Sequence, residues 1–146
     1  MKEYHKMPKV TAEAIDSEGW FHSGDLGEMD GNGYVKITGR MKDVIVRDGI
    51  EIHPTLLEEI LYKLPEVSEV QVFGFPDPNR GHEVAAWIKL KEGAHLSLDG
   101  LSDYARREMG KEKAPQYYKF VSEFPMTRSG KVQKFRLAQL AHKEYL

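Results

Sequence analysis

The stretch VSEVQVFGFPDPNRGHEVAAWIKLK, residues 67–91, constrains the fold more than any other part of the sequence. Its first part, VSEVQVFGF, is rich in β-branched and aromatic residues and predicts a buried strand. The following PDPNRGH predicts a loop, because proline, asparagine and glycine favour turns. In EVAAWIKLK, Val84, Ala86 and Ile88 alternate with their neighbours, as expected of a strand with one better-buried face. The stretch therefore predicts two strands with the chain returning through a loop between them.

The residues before this stretch predict two turns and a helix. DGNGY, residues 30–34, and the pair Asp48-Gly49 offer the positive φ angles that tight hairpin turns require. The second turn lies between two short β-rich runs in DVIVRDGIEIHP, which predicts a small ribbon. Pro54 suits the first turn of an amphipathic helix that ends before Pro65.

The residues after this stretch predict a helix, a strand and a final helix. Apolar residues recur with helical spacing over residues 98–110, and YYKFV after Pro115 predicts a strand. The last segment, KFRLAQLAHKEYL, predicts a helix that lays four apolar side chains on the core: Phe135, Leu137, Leu140 and Ala141. The whole order predicts an α+β fold in which helices pack on a small, mostly antiparallel sheet. It is preceded by a β-ribbon and a short N-terminal extension.

Composition excludes several classes of function. A chain of 146 residues fits one ordinary domain, and its net charge of -2 argues against a partner that is nucleic acid or an acidic membrane surface. No cysteine is present, which excludes disulfides and thiolate metal sites. The six histidines lack ligand-like spacing, so no metal site is expected. No apolar run has the length of a signal peptide or a membrane span, and a cytoplasmic location is expected.

The first candidate site is PMTRSGKVQKFR, residues 125–136, in which a Ser-Gly turn carries Lys131. The segment lacks the upstream glycine and the following Ser or Thr of a Walker phosphate loop. A single lysine of this kind is usually a solvated surface charge. The functional alternative is that its ammonium reaches into a cleft on another surface and neutralises charge that develops on a phosphate.

Two further stretches carry candidate residues. In GWFHSGD, residues 19–25, two glycines present Asp25, whose carboxylate could accept both hydroxyls of a ribose or could simply form an Asx-turn or helix cap. In GRMKDVIVRDGIEIHP, residues 39–54, charged side chains of both signs surround a hairpin. A charged edge ribbon that resists aggregation would explain them without a function.

Taken together, four stretches resemble the acyl-adenylate-forming enzymes, which include acyl-CoA synthetases, adenylation domains and firefly-type luciferases. In the family's order they are GWFHSGD, GRMKDVIVRDGIEIHPTLLEE, VFGFPDPNRGHEVAAWI and PMTRSGKVQKFR. The segments EVAAWIKLKEGA and KVQKFRL are most similar to fatty or medium-chain acyl-CoA synthetases. The resemblance implies that a carboxylate attacks ATP, with Mg²⁺, to give acyl-AMP, and that the thiol of CoA then displaces AMP.

The resemblance also implies roles for five residues. Lys131 is expected to be catalytic and to bridge the carboxylate and the α-phosphate, while Asp25 binds the ribose and Arg40 contacts the nucleotide. Lys42 is expected at a hinge about which the C-terminal domain rotates between the half-reactions. Gly49 would then line the pantetheine path of CoA.

The domain organisation follows from the same resemblance. Residues 40–146 are expected to be the AMP-binding enzyme C-terminal domain, a lid that folds alone, and residues 1–39 to be a remnant of the large N-terminal domain, disordered or rearranged without it. That large domain is the expected partner, and the fragment is expected to be inactive alone with no tightly bound cofactor. The alternatives are a lid that serves a carrier-protein thiol, a stand-alone docking module, and a small α+β nucleic-acid binder.

Overall fold

The structure is a computed structural model that describes residues 1–146. The chain divides into two compact units, Met1–Lys42 and Asp43–Leu146, whereas the sequence-based boundary lies between residues 39 and 40. The first unit contains helix α1 (Pro8–Ala14), strands β1 (Asp25–Met29) and β2 (Val35–Arg40), and the start of a short 3-10 helix (Met41–Asp43). The second contains β3 (Ile45–Arg47), β4 (Ile50–Ile52), α2 (Pro54–Leu61), β5 (Val67–Asp77), β6 (Gly81–Leu90), α3 (Leu98–Met109), β7 (Tyr117–Phe120) and α4 (Lys134–Tyr145).

The first unit is built around the β1–β2 hairpin. The two strands pair antiparallel, and the carboxylate of Asp30 closes the turn by accepting hydrogen bonds from the backbone N–H groups of Asn32 and Tyr34, each at 2.9 Å. The hairpin predicted from DGNGY therefore forms, but through a longer turn of residues 30–34 in which only Gly33 has a positive φ, 86°, rather than through the tight turn that was predicted. Helix α1 was not predicted, because it has only seven residues and buries none of them, so it leaves no amphipathic pattern to read.

The second unit has a five-stranded sheet in the order β4-β3-β6-β5, with β7 also paired to β6. All pairs are antiparallel except β6 with β7, which confirms the predicted α+β fold with a mostly antiparallel sheet. The loop between β5 and β6 is shorter than the predicted PDPNRGH, because Pro76 and Asp77 still pair with His82 and Gly81. Pro76 is tolerated because β5 is an edge strand, where a missing N–H need not break the ladder.

Helices cover both faces of this sheet. On one face Val84, Ala86 and Ile88 of β6 belong to the core formed with α2 and α3. On the other face Ala85 and Trp87 belong to a second core, formed with α4. The prediction of one better-buried face was therefore wrong for β6. The alternation is real, but a central strand between two helical layers buries both sets of side chains.

The last helix uses a narrower apolar stripe than predicted. Leu137 and Ala141, one turn apart, are fully buried, but Phe135 is 62% exposed and Leu140 is 49% exposed. The prediction that all four apolar side chains lie on the core was wrong for these two. Phe135 lies only two residues from Leu137 and therefore points away from the stripe that Leu137 and Ala141 form. Leu140 lies three residues from Leu137 but to one side of that stripe, because 3.6 residues make one turn.

Candidate functional site

Lys131 lies on a closed loop directly before α4. The loop is held by an isolated antiparallel bridge between Met126 and Val132. Inside it, the N–H of Thr127 donates to the carbonyl of Lys131 at 2.7 Å, and the N–H of Lys131 donates to the Thr127 hydroxyl at 3.0 Å. Gly130 has a φ of 78°, a conformation that glycine adopts without strain. The sequence TRSGK therefore forms a turn that fixes the backbone of Lys131.

The side chain of Lys131 is exposed and forms no ion pair or hydrogen bond within the chain. An ammonium group on a four-carbon stem and a fixed backbone is free to meet an anion outside the domain. Lysine acts in such a position as a compact point charge with three donors. An exposed lysine without a partner fits both interpretations of this residue, a solvated surface charge and a group delivered to a phosphate, so its catalytic role stays a prediction.

Lys134, the first residue of α4, does have hydrogen-bond partners within the chain. Lys134 Nζ donates to Glu58 Oε1 at 2.9 Å and to the carbonyl of Val72 at 3.0 Å. Glu58 Oε1 also accepts the N–H of Val72 at 2.8 Å. Sequence reasoning missed this contact because Glu58 and Lys134 are 76 residues apart. A lysine in the first turn of a helix, where the dipole disfavours cations, was the one available signal.

Asp25 and Arg40 come together at one end of the β1–β2 hairpin. They are opposite each other in the strand register, and Arg40 Nε donates to Asp25 Oδ1 at 3.1 Å. Asp25 does not form the Asx-turn that was its alternative interpretation. That role belongs to Asp16, which accepts the N–H groups of Glu18 and Trp20. The hydrogen bond from Trp20 is the main cause that holds the pKa of Asp16 below its usual value.

Gly49 lies at the tip of the β3–β4 hairpin. Asp48 and Gly49 have φ angles of 53° and 79°, and the flanking strands pair from Arg47 with Ile50. Positive φ at both central residues is typical of a two-residue type I′ turn, which confirms the predicted hairpin. Apart from Gly49 and its two neighbours in the chain, no residue has an atom within 4 Å of the position that a Cβ of Gly49 would occupy, so this tip is open.

A network of two arginines and two carboxylates holds this hairpin. Arg47 is only 2% exposed and donates to Glu83 Oε1 at 2.5 Å and to the carbonyls of Glu112 and Ala114. Arg80 binds both Asp48 and Glu83. Its hydrogen bonds lower the pKa of Asp48, and Asp48 in turn raises the pKa of Arg80.

The alternative interpretation, a charged edge ribbon that only resists aggregation, was wrong for Arg47. A solvated charged edge would leave Arg47 in water, whereas the structure buries it with hydrogen-bonded partners, as a buried charge requires. Lys42, in contrast, is exposed in the short 3-10 helix and is the last residue of the first unit.

The site residues fall into the two units separately. Asp25, Arg40 and Lys42 belong to the first, and Gly49 and Lys131 belong to the second. No group of three or more histidine, aspartate or glutamate side chains is arranged to hold a metal ion. No residue of this chain is therefore assigned to Mg²⁺. None of the helices is long and apolar enough to cross a membrane.

The fold and the lysine loop define a class of domain that is found in adenylate-forming enzymes. ATP-bound MatB from Rhodopseudomonas palustris is 32% identical and superposes with a TM-score of 0.91 over 99% of this chain and 29% of its own. The amide bond synthetase McbA from Marinactinospora thermotolerans is 29% identical, with a TM-score of 0.88 over 96% of this chain and 28% of its own.

Residues 56–131, just over half of the chain, match the family described as the AMP-binding enzyme C-terminal domain. The chain belongs to this family. YngI of Bacillus subtilis, which carries a provisional acyl-CoA synthetase name, is 47% identical over 95% of this chain and 25% of its own length. The human medium-chain acyl-CoA ligase ACSF2, named as mitochondrial, is 39% identical over 95% of this chain and 23% of its own length. The chain thus spans about a quarter of the length of these relatives.

Proposed function

We propose that this chain is the C-terminal domain of an ATP-dependent acyl-CoA ligase that acts on a fatty acid. The observation that carries the proposal is the exposed, unpaired ammonium of Lys131 on a loop whose backbone is fixed. The family membership and the names of the similar proteins, which include medium-chain acyl-CoA ligases and a sulfoacetate–CoA ligase, support the reaction class.

In the first half-reaction, a carboxylate oxygen of the fatty acid attacks the α-phosphorus of ATP. A new P–O bond forms, the bond to pyrophosphate breaks, and acyl-AMP results. Negative charge grows on the phosphoryl oxygens as this happens, and a positioned cation stabilises it. Lys131 supplies that cation and also neutralises the repulsion between the carboxylate and the phosphate. Mg²⁺ enters with ATP as part of the substrate.

Asp25 and Arg40 are assigned to the nucleotide. A carboxylate has about four lone-pair sites, and the bond from Arg40 Nε uses one of them on Asp25. The rest remain able to accept the two ribose hydroxyls. The Nη groups of Arg40 form no hydrogen bond within the chain and keep their donors for an anionic ligand.

In the second half-reaction, the sulfur of CoA attacks the carbonyl carbon of acyl-AMP, the bond from that carbon to the phosphate oxygen breaks, and AMP leaves. The second unit then presents the hairpin of Gly49 in place of the loop of Lys131. The open space above Gly49 suits the close approach of a pantetheine arm. Lys42 is assigned to the hinge, and the boundary of the two units directly after it supports this role.

The partner is the large N-terminal domain of the same enzyme. Residues 1–39 are proposed to belong to it. This segment exposes several large apolar side chains, whereas the surfaces of soluble monomeric proteins normally expose such side chains only singly. They are Trp20, Phe21, Met29, Tyr34, Val35 and Ile37. We place the enzyme in the cytoplasm, although the name of the relative ACSF2 assigns that protein to mitochondria.

The test compares the full-length enzyme with the isolated chain, each given octanoate, ATP, Mg²⁺ and CoA. The full-length enzyme is expected to form octanoyl-CoA and to release AMP with pyrophosphate, while the isolated chain forms neither. Thioester formation by the isolated chain would contradict the division of labour, and ADP as the product would contradict the adenylate. A phosphopantetheinylated carrier protein replaces CoA in a second arm. A strong preference for the carrier would favour the alternative acceptor.

A further inference from the structure

Lys134 lies three residues after Lys131, and the proposed function gives it no role. It is the first residue of α4, and no acidic side chain lies in the first turn of that helix. The positive end of the helix dipole disfavours a cation here, and Lys131 and Arg136 lie close by in the sequence. The ammonium of Lys134 therefore needs a compensating partner, and Glu58 provides it.

The contact joins the two helical layers around the edge of the sheet. Glu58 belongs to α2, which packs on one face of β5, and Lys134 belongs to α4, which packs on the other. Strand β5 pairs only with β6, so the outward N–H and C=O of Val72 have no strand partner. Glu58 satisfies the N–H and Lys134 satisfies the carbonyl. Side chains 15% and 29% exposed form this anchor, so solvent screens it only in part.

The anchor lies at one of the two points where the lysine loop attaches to the domain. At the other point the side chain of Phe124 is buried in the core with α4. The two attachment points are tied together, because the N–H of Gln133 donates to the carbonyl of Pro125 at 2.8 Å. A loop closed in this way moves as a unit, so a shift of the first turn of α4 shifts Lys131 with it.

We propose that Lys134 is a positioning residue for acyl-AMP formation: by binding Glu58 and the Val72 carbonyl, it fixes the direction in which the loop presents Lys131. This rests on the proposed function of Lys131. Displacement of a catalytic group by about 1 Å typically costs on the order of a hundredfold in rate. Loss of the anchor should therefore slow the first half-reaction and leave the second unchanged.

The matched control is a second lysine–glutamate pair, which joins Lys119 of β7 to Glu144 of α4. Lys119 Nζ lies 2.6 Å from Glu144 Oε2, near the far end of α4, and also lies over the ring of Trp87. Its side chain is 38% exposed, similar to Lys134. Replacing Lys119 by methionine removes the same charge. It also removes a link between the sheet and α4, but at the end of the helix away from Lys131.

The experiment uses the full-length enzyme. Acyl-AMP formation is followed by octanoate-dependent ATP–pyrophosphate exchange, and the second half-reaction by octanoyl-CoA formation from supplied octanoyl-AMP. Lys134→Met is expected to lower the first rate about 10- to 100-fold and to change the second less than about twofold. Lys119→Met is expected to change neither by more than about twofold, and Lys134→Arg to restore most of the lost rate, because a guanidinium can reach the same oxygens.

A double variant tests whether Lys134 acts through Lys131. Residues that work as one unit give non-additive losses. Lys131→Ala combined with Lys134→Met should therefore adenylate no more slowly than Lys131→Ala alone. If Lys134→Met does not fold, Glu58→Gln weakens the same ion pair while it keeps an oxygen for the Val72 N–H, and the same outcomes are expected.

Three results would overturn the inference. They are normal exchange in Lys134→Met, equal losses in both half-reactions, and fully additive losses in the double variant. Each is distinct from failure of the proposed function, which would appear as normal exchange in Lys131→Ala.

Discussion

Asp48 combines a backbone conformation that is uncommon outside glycine with an ion pair to Arg80. Its φ is 53°, and its carboxylate accepts the Arg80 Nε at 2.8 Å. The backbone N–H of Asp48 also donates to the carbonyl of Arg80 at 3.1 Å. Aspartate and asparagine tolerate the left-handed region better than other side chains. This residue therefore joins the β3–β4 hairpin to the turn between β5 and β6 through both its backbone and its charge.

The ion pair makes stability depend on pH in the acid range. Arg80 lowers the pKa of Asp48 in the folded chain below the ordinary 3.8, so the stabilisation is complete above that value and is lost as pH falls through the folded pKa. Asp48→Asn keeps the backbone conformation and removes the titration. We expect its free energy of unfolding to decline less than that of the wild type between about pH 4 and pH 2, as measured by urea denaturation.

The matched control for this experiment is Asp103→Asn, since Asp103 is an exposed aspartate of α3 without an ion pair. Its acid decline should follow that of the wild type. Parallel curves for wild type and Asp48→Asn would show that the Arg80 contact does not couple to folding.

At the scale of elements, the sequence predicted those turns and helix ends whose conformation depends on the residue types at the turn itself. Asp48-Gly49 gave the hairpin because its two positive φ angles are built into the residue types. Gly110 gave the end of α3 for the same reason, with a φ of 78°. Helix α1 escaped prediction because it buries no side chain. A periodic pattern of apolar residues reveals a helix only when one face of that helix packs against other parts of the protein.

Contacts between distant elements could not be predicted in this way. Apolar spacing included Phe135 in the core stripe of α4, but the exposed and buried positions depend on where β5 and β6 lie beneath the helix. The anchor of Lys134 on Glu58 joins residues far apart in sequence, and no pattern within either helix specifies the partner. The family resemblance supplied the roles of Lys131, Asp25, Arg40, Lys42 and Gly49, and these roles stay predictions.

At the scale of the whole molecule, the chain consists of two units that meet in sequence at Lys42 and Asp43. A hinge needs only a few residues whose backbone angles change. Proline restricts its own φ and the conformation of the residue before it. Lys42→Pro should therefore slow thioester formation from supplied acyl-AMP, with a smaller effect on pyrophosphate exchange.

Lys42→Ala serves as the control for this prediction, because it removes the charge without restricting the backbone. Its second half-reaction should stay near the wild-type rate. If Lys42→Pro performs the second half-reaction as fast as Lys42→Ala, then Lys42 is not the hinge.

The central claim is that the ammonium of Lys131 stabilises charge during acyl-AMP formation and takes no part in thioester formation. The direct measurement is the single-turnover rate of each half-reaction in the full-length enzyme with Lys131→Ala, beside Lys143→Ala as a charge-matched variant on the exposed end of α4. Loss of one preorganised charge-stabilising group typically costs about a hundred- to a thousandfold. We predict that loss for acyl-AMP formation by Lys131→Ala alone, with octanoyl-CoA formation from supplied octanoyl-AMP largely retained. Acyl-AMP formation at the wild-type rate, or equal loss in both half-reactions, would contradict the account.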